Sequence, residues 1–244
     1  MLLNQPLRQA AKRYKQSSQN SMEKETLNEN VTEADLILIF ESLEQLNQKL
    51  NQTALDIFKN ETDRKLLSKP SHFVFSIVHR AIELNRAFKT LSEANNWITA
   101  INLLRLQADN CMRLFALSLV KDRLDFYNRI ENGEHIRNME DAEGKKMSDF
   151  YLSQKLDSLY PGFRVLYENT SGFIHFSNEH MKINTDRIDD GNEFMMKIRL
   201  AEITEFSISK KVDYAFNMFQ VSKEFHKLLN GYKLSMIDFM KCFD

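Results

Sequence analysis

From Ile98 to Val120 the chain contains neither glycine nor proline, and its apolar residues fall on two sides of a single helix. At about 100° per residue, Ile101, Ala108, Cys111, Phe115 and Leu119 gather on one side, and Leu103, Leu106, Leu114 and Leu117 on another. A helix that is apolar on two sides has to be wrapped by neighbours, so it belongs near the centre of a helical domain. Between the two sides runs a narrow stripe of Asn102, Arg105, Asp109 and Arg113, spaced three and four apart along one edge. A charge placed there must find a partner, because an unpaired buried charge is strongly destabilising. Arg105 and Asp109 are expected to pair within the helix. Arg113 is then a spare positive charge, to be answered by a carboxylate elsewhere or by an anionic ligand.

A second segment, Phe163 to Asn178, repeats the pattern. Arg164, Glu168, Ser171 and His175 fall on one stripe, bordered by Tyr167 and flanked by apolar residues such as Leu166 and Val165. The two stripes are expected to face each other, so that Arg105, Asp109 and Arg113 meet Glu168, Ser171, His175 and Tyr167. A histidine beside an arginine and a hydroxyl can do general acid–base work, and arginines can hold a phosphate. The candidate catalytic residues are therefore His175, Arg105 and Ser171. The candidate binding residues are Asp109, Arg113, Arg164, Tyr167 and Glu168. The same residues read equally as a buried polar network that fixes helix register.

Six glycines and three prolines in 244 residues are too few for a hairpin-rich β architecture. The expected fold class is mainly α: a multi-helix bundle with a small β-hairpin inserted before the C-terminal helices. Residues 1–30 read as a polar arm in which Arg8, Lys12, Arg13 and Lys15 follow Pro6, and residues 31–244 as a single helical domain. Thr32 is a good N-cap, and Leu36, Phe40, Leu43, Leu46 and Leu50 follow on one face, extended by Leu55 and Phe58. A second helix is expected from about Pro70-Ser71, and a third from about Glu93 to Ile130, with room for a bend, ended by Asn132-Gly133. Ser148-Asp149 starts a short helix to Leu159, and Pro161-Gly162 separates it from the next. Alternation through Phe194, Met196, Ile198 and Leu200, with Asp189-Asp190-Gly191-Asn192 before it, predicts a hairpin over about 182–200. Ser209 to Tyr232 is an amphipathic helix with Gly231 near its end.

The 33 basic and 34 acidic side chains nearly cancel, so no global field points to nucleic acid or a membrane surface. The longest apolar runs, Leu36 to Phe40 and Leu114 to Val120, fall far short of a membrane span. With no signal-peptide pattern at Met1 to Pro6 and only Cys111 and Cys242, a reducing cytoplasm is the expected location. Glycine spacing excludes a phosphate loop and a dinucleotide-binding turn, and there is no nucleophile elbow and no Glu-x-x-His pair. His175 and Glu179 could share a helix face beside His180, but a surface pair at a helix end is the plainer reading. His72 and His79 read as a core-edge pair. No metal and no cofactor are expected.

Tyr167-Glu168-Asn169-Thr170-Ser171-Gly172-Phe173-Ile174-His175 resembles a motif of uncharacterised bacterial all-helical proteins, in which a Tyr-x3-Ser-x3-His helix follows a helix carrying an Arg and an acidic residue. Leu104-Arg105-Leu106-Gln107-Ala108-Asp109 and Gly144-Lys145-Lys146-Met147-Ser148-Asp149 resemble the same group, over roughly residues 95 to 180. The group in turn resembles the HEPN superfamily, helical-bundle proteins common in toxin–antitoxin and phage-defence systems. The resemblance implies a helical bundle, a dimer, RNA as partner and metal-independent RNA cleavage. The nuclease motif of that superfamily is an Arg followed by a His after four to six residues. His175 has no Arg at that distance, and only Arg129 and His135 fit the spacing. Three readings follow: an HEPN-like effector acting on RNA, a non-catalytic adaptor or immunity-type protein with a protein partner, and a small-anion or nucleotide sensor using Arg105, Arg113 and His175.

Overall fold

The computed structural model describes residues 31–63, 68–174, 185–189, 194–198 and 205–241. The basic arm, Cys242 and the whole of His175 to His180 lie outside the described residues.

Seven α-helices are present among the described residues: α1 (Glu33–Asp63), α2 (Lys69–Glu93), α3 (Trp97–Leu119), α4 (Arg123–Glu131), α5 (Asp149–Leu159), α6 (Phe163–Ile174) and α7 (Ile208–Lys241). The fold is mainly helical, as the apolar spacing predicts. Each start is set by a side chain that covers free backbone N–H groups. Asp35 reaches back to the Thr32 N–H at 2.9 Å, Ser68 caps α2 through the Ser71 N–H, and Ser148 caps α5 through the Tyr151 N–H. Leu36, Phe40, Leu43, Leu46 and Leu50 are all buried, as expected. Leu55 and Phe58 are not part of that face: each is 43% exposed, and Ile57 is buried instead. From Leu50 the inward edge continues at steps of three and four to Thr53, Ile57 and Glu61, which turns Leu55 away from the core.

The third helix, expected from about Glu93 to Ile130 with room for a bend, starts at Trp97 and is broken once, between Leu119 and Arg123. Asn95 takes a left-handed backbone (φ +57°), and Asn96 caps α3 through Thr99. Asp122 caps α4 through the N–H groups of Leu124 and Asp125. Neither boundary needs glycine or proline, because a short amide or carboxylate side chain supplies the turn and the cap together. Gly231, by contrast, does not end the last helix, which runs on to Lys241.

Helices α1, α2, α3 and α7 form a bundle, with α1 against α2 and α7, and α3 against α2 and α7. The opposite side of α3 carries α5 and α6, which also pack on each other. This explains the two apolar sides of α3: one faces the bundle, the other the α5–α6 layer. Thr185–Asp189 and Phe194–Ile198 pair as two antiparallel strands, β1 and β2, with Thr185 opposite Ile198. The turn between them and both flanks of the hairpin expected over 182–200 lie outside the described residues, and the established architecture is the helical one.

Every helix of the bundle contributes a polar side chain to its interior. Asn85 on α2 donates to Asn47 on α1 at 2.7 Å and accepts from Ser222 on α7 at 2.7 Å and from Gln107 on α3 at 3.2 Å. Gln107 also donates to Ser222 at 2.9 Å and accepts from Asn110 at 2.9 Å. All five residues are buried.

Candidate functional site

The two polar stripes do meet, where α6 lies against α3. The Arg105 guanidinium stacks on the Tyr167 ring, 3.4 Å from its centroid. Its Nε donates to the Ser171 hydroxyl at 3.2 Å, and an Nη donates to the Tyr167 hydroxyl. The Tyr167 hydroxyl donates to Asp149 at 3.1 Å. Asp149, in the first turn of α5, accepts from Arg113 at 2.7 Å, and Arg113 also pairs with Asp109 at 2.7 Å across one turn of α3. Asp109 accepts in turn from Arg80 on α2 at 3.3 Å. Arg80 reaches Asn110 as well, which joins this cluster to the amide layer inside the bundle.

Several details differ from the sequence expectation. Arg105 does not pair with Asp109, whose carboxylate turns to Arg113 and Arg80. The spare charge of Arg113 is answered by Asp149, so within this cluster the guanidinium left without a carboxylate at ion-pair distance, among the described residues, is Arg105. Arg164 and Glu168 do not join the cluster. They pair with each other at 2.7 Å on the outer face of α6, and Arg164 lies over the Phe150 ring. Glu168 sits one residue, about 100°, round the helix from Tyr167, and Arg164, although nearly in line with Ser171, lies two turns away from it and turns to Glu168 and Phe150. His175, the expected acid–base group, lies outside the described residues.

The sequence reading missed Asp149 and Arg80. Asp149 was visible as a residue favourable to a helix start and as the end of the Gly144 to Asp149 segment of the resemblance, and nothing in a single sequence says which distant arginine a first-turn carboxylate will meet. Arg80 is itself exposed, next to the buried Ala81 on α2, and nothing in its spacing marked it for this cluster.

Burial lowers the pKa of Arg105, opposed by the Tyr167 hydroxyl and by Asp109 and Asp149. Arginine remains charged all the same. Burial also works against Arg113, but the Asp109 and Asp149 carboxylates outweigh it and raise its pKa. Tyr167 is pushed up to about 12 by burial, opposed by Arg105 and reinforced by Asp149. Tyr167 is therefore a hydrogen-bond donor at neutral pH and not a base. The Ser171 hydroxyl donates to the Tyr167 carbonyl at 2.7 Å while accepting from Arg105, so both its roles are occupied. Three arginines (80, 105, 113) against two aspartates (109, 149) leave the cluster with one net positive charge. What this arrangement can do is hold an anion against Arg105.

The alternative Arg–His spacing has another use. Arg129 grips Glu134 with two nitrogens at 2.8 and 2.6 Å, closing the turn after α4. His72 bonds the Tyr127 hydroxyl at 3.0 Å. Among the described residues no group of three or more His, Cys, Asp or Glu is placed to hold a metal ion, and no helix is long and apolar enough to cross a membrane. Comparison of the chain with protein-family models, with curated proteins and with solved structures found no match.

Proposed function

We propose that the protein is an HEPN-like helical effector that engages RNA, with Arg105 holding a backbone phosphate. The observation that carries this reading is the state of Arg105: held over the Tyr167 ring, bonded to two neutral hydroxyls, and lacking a carboxylate partner among the described residues. A guanidinium fixed in this way has its charge still to be matched, and phosphate geometry suits it. In this proposal Tyr167 and Ser171 position Arg105, Asp149 orients Tyr167, and Arg113 and Asp109 brace Asp149. His175, four residues after Ser171, is the group that would move a proton if RNA is cleaved. The resemblance supplies the setting: a bacterial cytoplasm, phage defence or a toxin–antitoxin pair, and a homodimer. The proposal includes a hairpin closing through Asp189-Asp190-Gly191-Asn192, which the pairing of β1 with β2 supports.

The test is binding of labelled single-stranded RNA, followed by anisotropy at low and high salt, together with cleavage in the presence of a chelator. RNA should bind, with an affinity that falls as salt rises, and Arg105→Ala should weaken it about ten-fold, the equivalent of about 1.4 kcal/mol. His175→Ala should abolish cleavage and spare binding. Absence of binding at low salt would remove the proposal.

One observation favours a second reading. Tyr167, its pKa pushed up to about 12, is not a base near neutral pH, and the Ser171 hydroxyl already donates to the Tyr167 carbonyl and accepts from Arg105. A non-catalytic adaptor or immunity-type protein needs neither a base nor a free hydroxyl. It would bind a protein partner and leave RNA intact. A small-anion or nucleotide sensor would use the same Arg105, and inorganic phosphate or a nucleotide competing with RNA would reveal it.

A further inference from the structure

Helix α2 packs against one side of α3, and α5 and α6 pack against the other. The polar edge of α3 runs between them and is not closed over. The side chains of Asp109 and Arg113 on that edge are 20% and 22% exposed, and those of Arg80 and Asp149 on the two flanks 43% and 40%. The edge is therefore the floor of an open channel, with α2 as one wall and α5 and α6 as the other. From Arg105 to Arg113 the floor runs about 12 Å, at 1.5 Å per residue.

Each wall holds a guanidinium that is not fully used. On the α6 side, Arg105 bonds two neutral hydroxyls and, among the described residues, no carboxylate. On the α2 side, Arg80 contacts Asp109, at 3.3 Å, and Asn110 through the same nitrogen, Nη1. Its Nε and Nη2 donate to no described residue, and Asp109 is shared with Arg113 at 2.7 Å. Asn110 in turn donates to Gln107 at 2.9 Å, so Arg80 is anchored on a layer whose own bonds are made. An arginine fixed by one nitrogen presents its remaining N–H groups as a fork that suits a phosphate. The two forks are not at one point. Asp109, which holds Arg80, lies one turn of α3, about 5.4 Å, beyond Arg105 and forms no ion pair with it.

We propose that this channel takes a single RNA strand lying along α3, with one phosphate on Arg105 and a neighbouring phosphate on Arg80. The inference rests on the RNA reading above and adds to it the path of the strand and its second anchor. The floor is the width of one helix, about 10–12 Å, which admits one strand. Asp109 holds Arg80 at its distance from Arg105. Arg113 lies between Asp109 and Asp149 and offsets both carboxylates, which would otherwise repel the strand.

Arg80→Gln removes the charge and keeps an amide that can donate to Asn110, so the variant should fold with a melting temperature close to that of the unaltered protein. Binding of a labelled RNA of about ten nucleotides is followed by anisotropy over a salt series. The variant should bind it about five-fold more weakly at low salt, and the slope of log affinity against log salt should shrink by about 0.7, the share of one phosphate contact on a single strand. Arg80→Lys should keep the slope, which a purely structural role for Arg80 would not produce. Adenosine monophosphate and adenosine diphosphate are titrated beside the RNA. Their phosphates are too close together to serve both anchors, so Arg80→Gln should cost them less than about two-fold, through the field of the lost charge alone. Arg105→Ala should weaken all three ligands. If RNA binding depends on Arg105 but Arg80→Gln leaves affinity and slope unaltered, the strand path is wrong and the RNA reading stands. An equal loss for the mono- or diphosphate would put both arginines on one small ligand and would also overturn the path. If the RNA does not bind at low salt, the RNA reading falls and the path falls with it.

Discussion

The two polar systems of this protein lie a few residues apart on α3 and follow opposite designs. The layer inside the bundle is built of neutral groups, Asn47, Asn85, Gln107, Asn110 and Ser222, and each is bonded to another member. The cluster at the α3–α6 contact is built of charges, is half-buried, and ends in a guanidinium that, among the described residues, bonds only to hydroxyls. Neutral amides can be sealed off if every bond is made, and such a layer admits one helix register and penalises the others. A charge is not easily sealed off, so it stays near an edge where an anion can reach it. On the proposed reading, the inner layer serves structure and the outer cluster serves binding.

The sharpest way to break this comparison is Asn85→Ala. Asn85 makes three of the layer's bonds, and its loss leaves Asn47, Gln107 and Ser222 short of partners in a sealed interior. The expected cost is about 3 kcal/mol in urea unfolding, with phosphate or RNA affinity unchanged once the protein is folded. A cost below about 1 kcal/mol would mean that the layer tolerates missing bonds and does not set register.

A carboxylate on α7 shows what an unmatched charge does to the fold. Asp213 has no hydrogen bond or ion pair among the described residues, and burial alone raises its pKa to about 6. Asp141 shows the opposite case. Burial pushes its carboxyl up, but the Tyr151 hydroxyl, the N–H groups of Lys145 and Glu143, and Lys155 bring it down to about 2. For Asp213 the folded state holds the proton more tightly than the unfolded chain. Its stabilising share is complete below about pH 4 and is lost as pH rises through about 6. Asp213→Asn should therefore stabilise the protein at neutral pH, by on the order of 2 kcal/mol, and should flatten the fall between pH 4 and 6 in a melting-temperature series. An unchanged pH profile in the variant would show that Asp213 is not the group responsible.

Arg105→Ala tests the other half of the comparison, and its signature is a split. RNA affinity should drop about ten-fold, whereas the stability cost should stay below about 2 kcal/mol, since one stacking contact and two bonds to neutral hydroxyls are lost at a half-buried site. A large loss of stability with binding intact would move Arg105 into the structural group. Arg105→Lys keeps the charge and loses the planar fork, so it should recover only part of the affinity.

Helix content and the core face were legible in the sequence because the apolar spacing of Leu36 to Leu50 and of Ile98 to Val120 has few alternatives. The meeting of Arg105 with Tyr167 and Ser171 was legible too, since two polar stripes inside apolar flanks have to cover each other. The boundary at Asn95 and the break at Asp122 were not, because asparagine and aspartate continue a helix or cap the next one depending on neighbours far along the chain. Nor was the choice of Asp109 for Arg113 and Arg80 over Arg105. Spacing along α3 allows either pairing, and only the placement of α2 beside it decides.

The smallest predicted effect concerns the two residues that the stripe on α6 appeared to include. Arg164 and Glu168 pair with each other, their side chains are 37% and 54% exposed, and neither is hydrogen-bonded or ion-paired to Arg105, Tyr167 or Asp149. An exposed pair one turn apart contributes about 0.3–0.5 kcal/mol at most, and salt reduces even that. Glu168→Ala should change the unfolding free energy by less than about 0.5 kcal/mol and leave RNA affinity where it was. Arg164→Ala should do the same for stability, apart from its contact over Phe150. Should Glu168→Ala raise RNA affinity several-fold, the negative charge would be acting on the bound phosphate from the rim, and the binding surface would then extend along the outer face of α6 beyond Arg105.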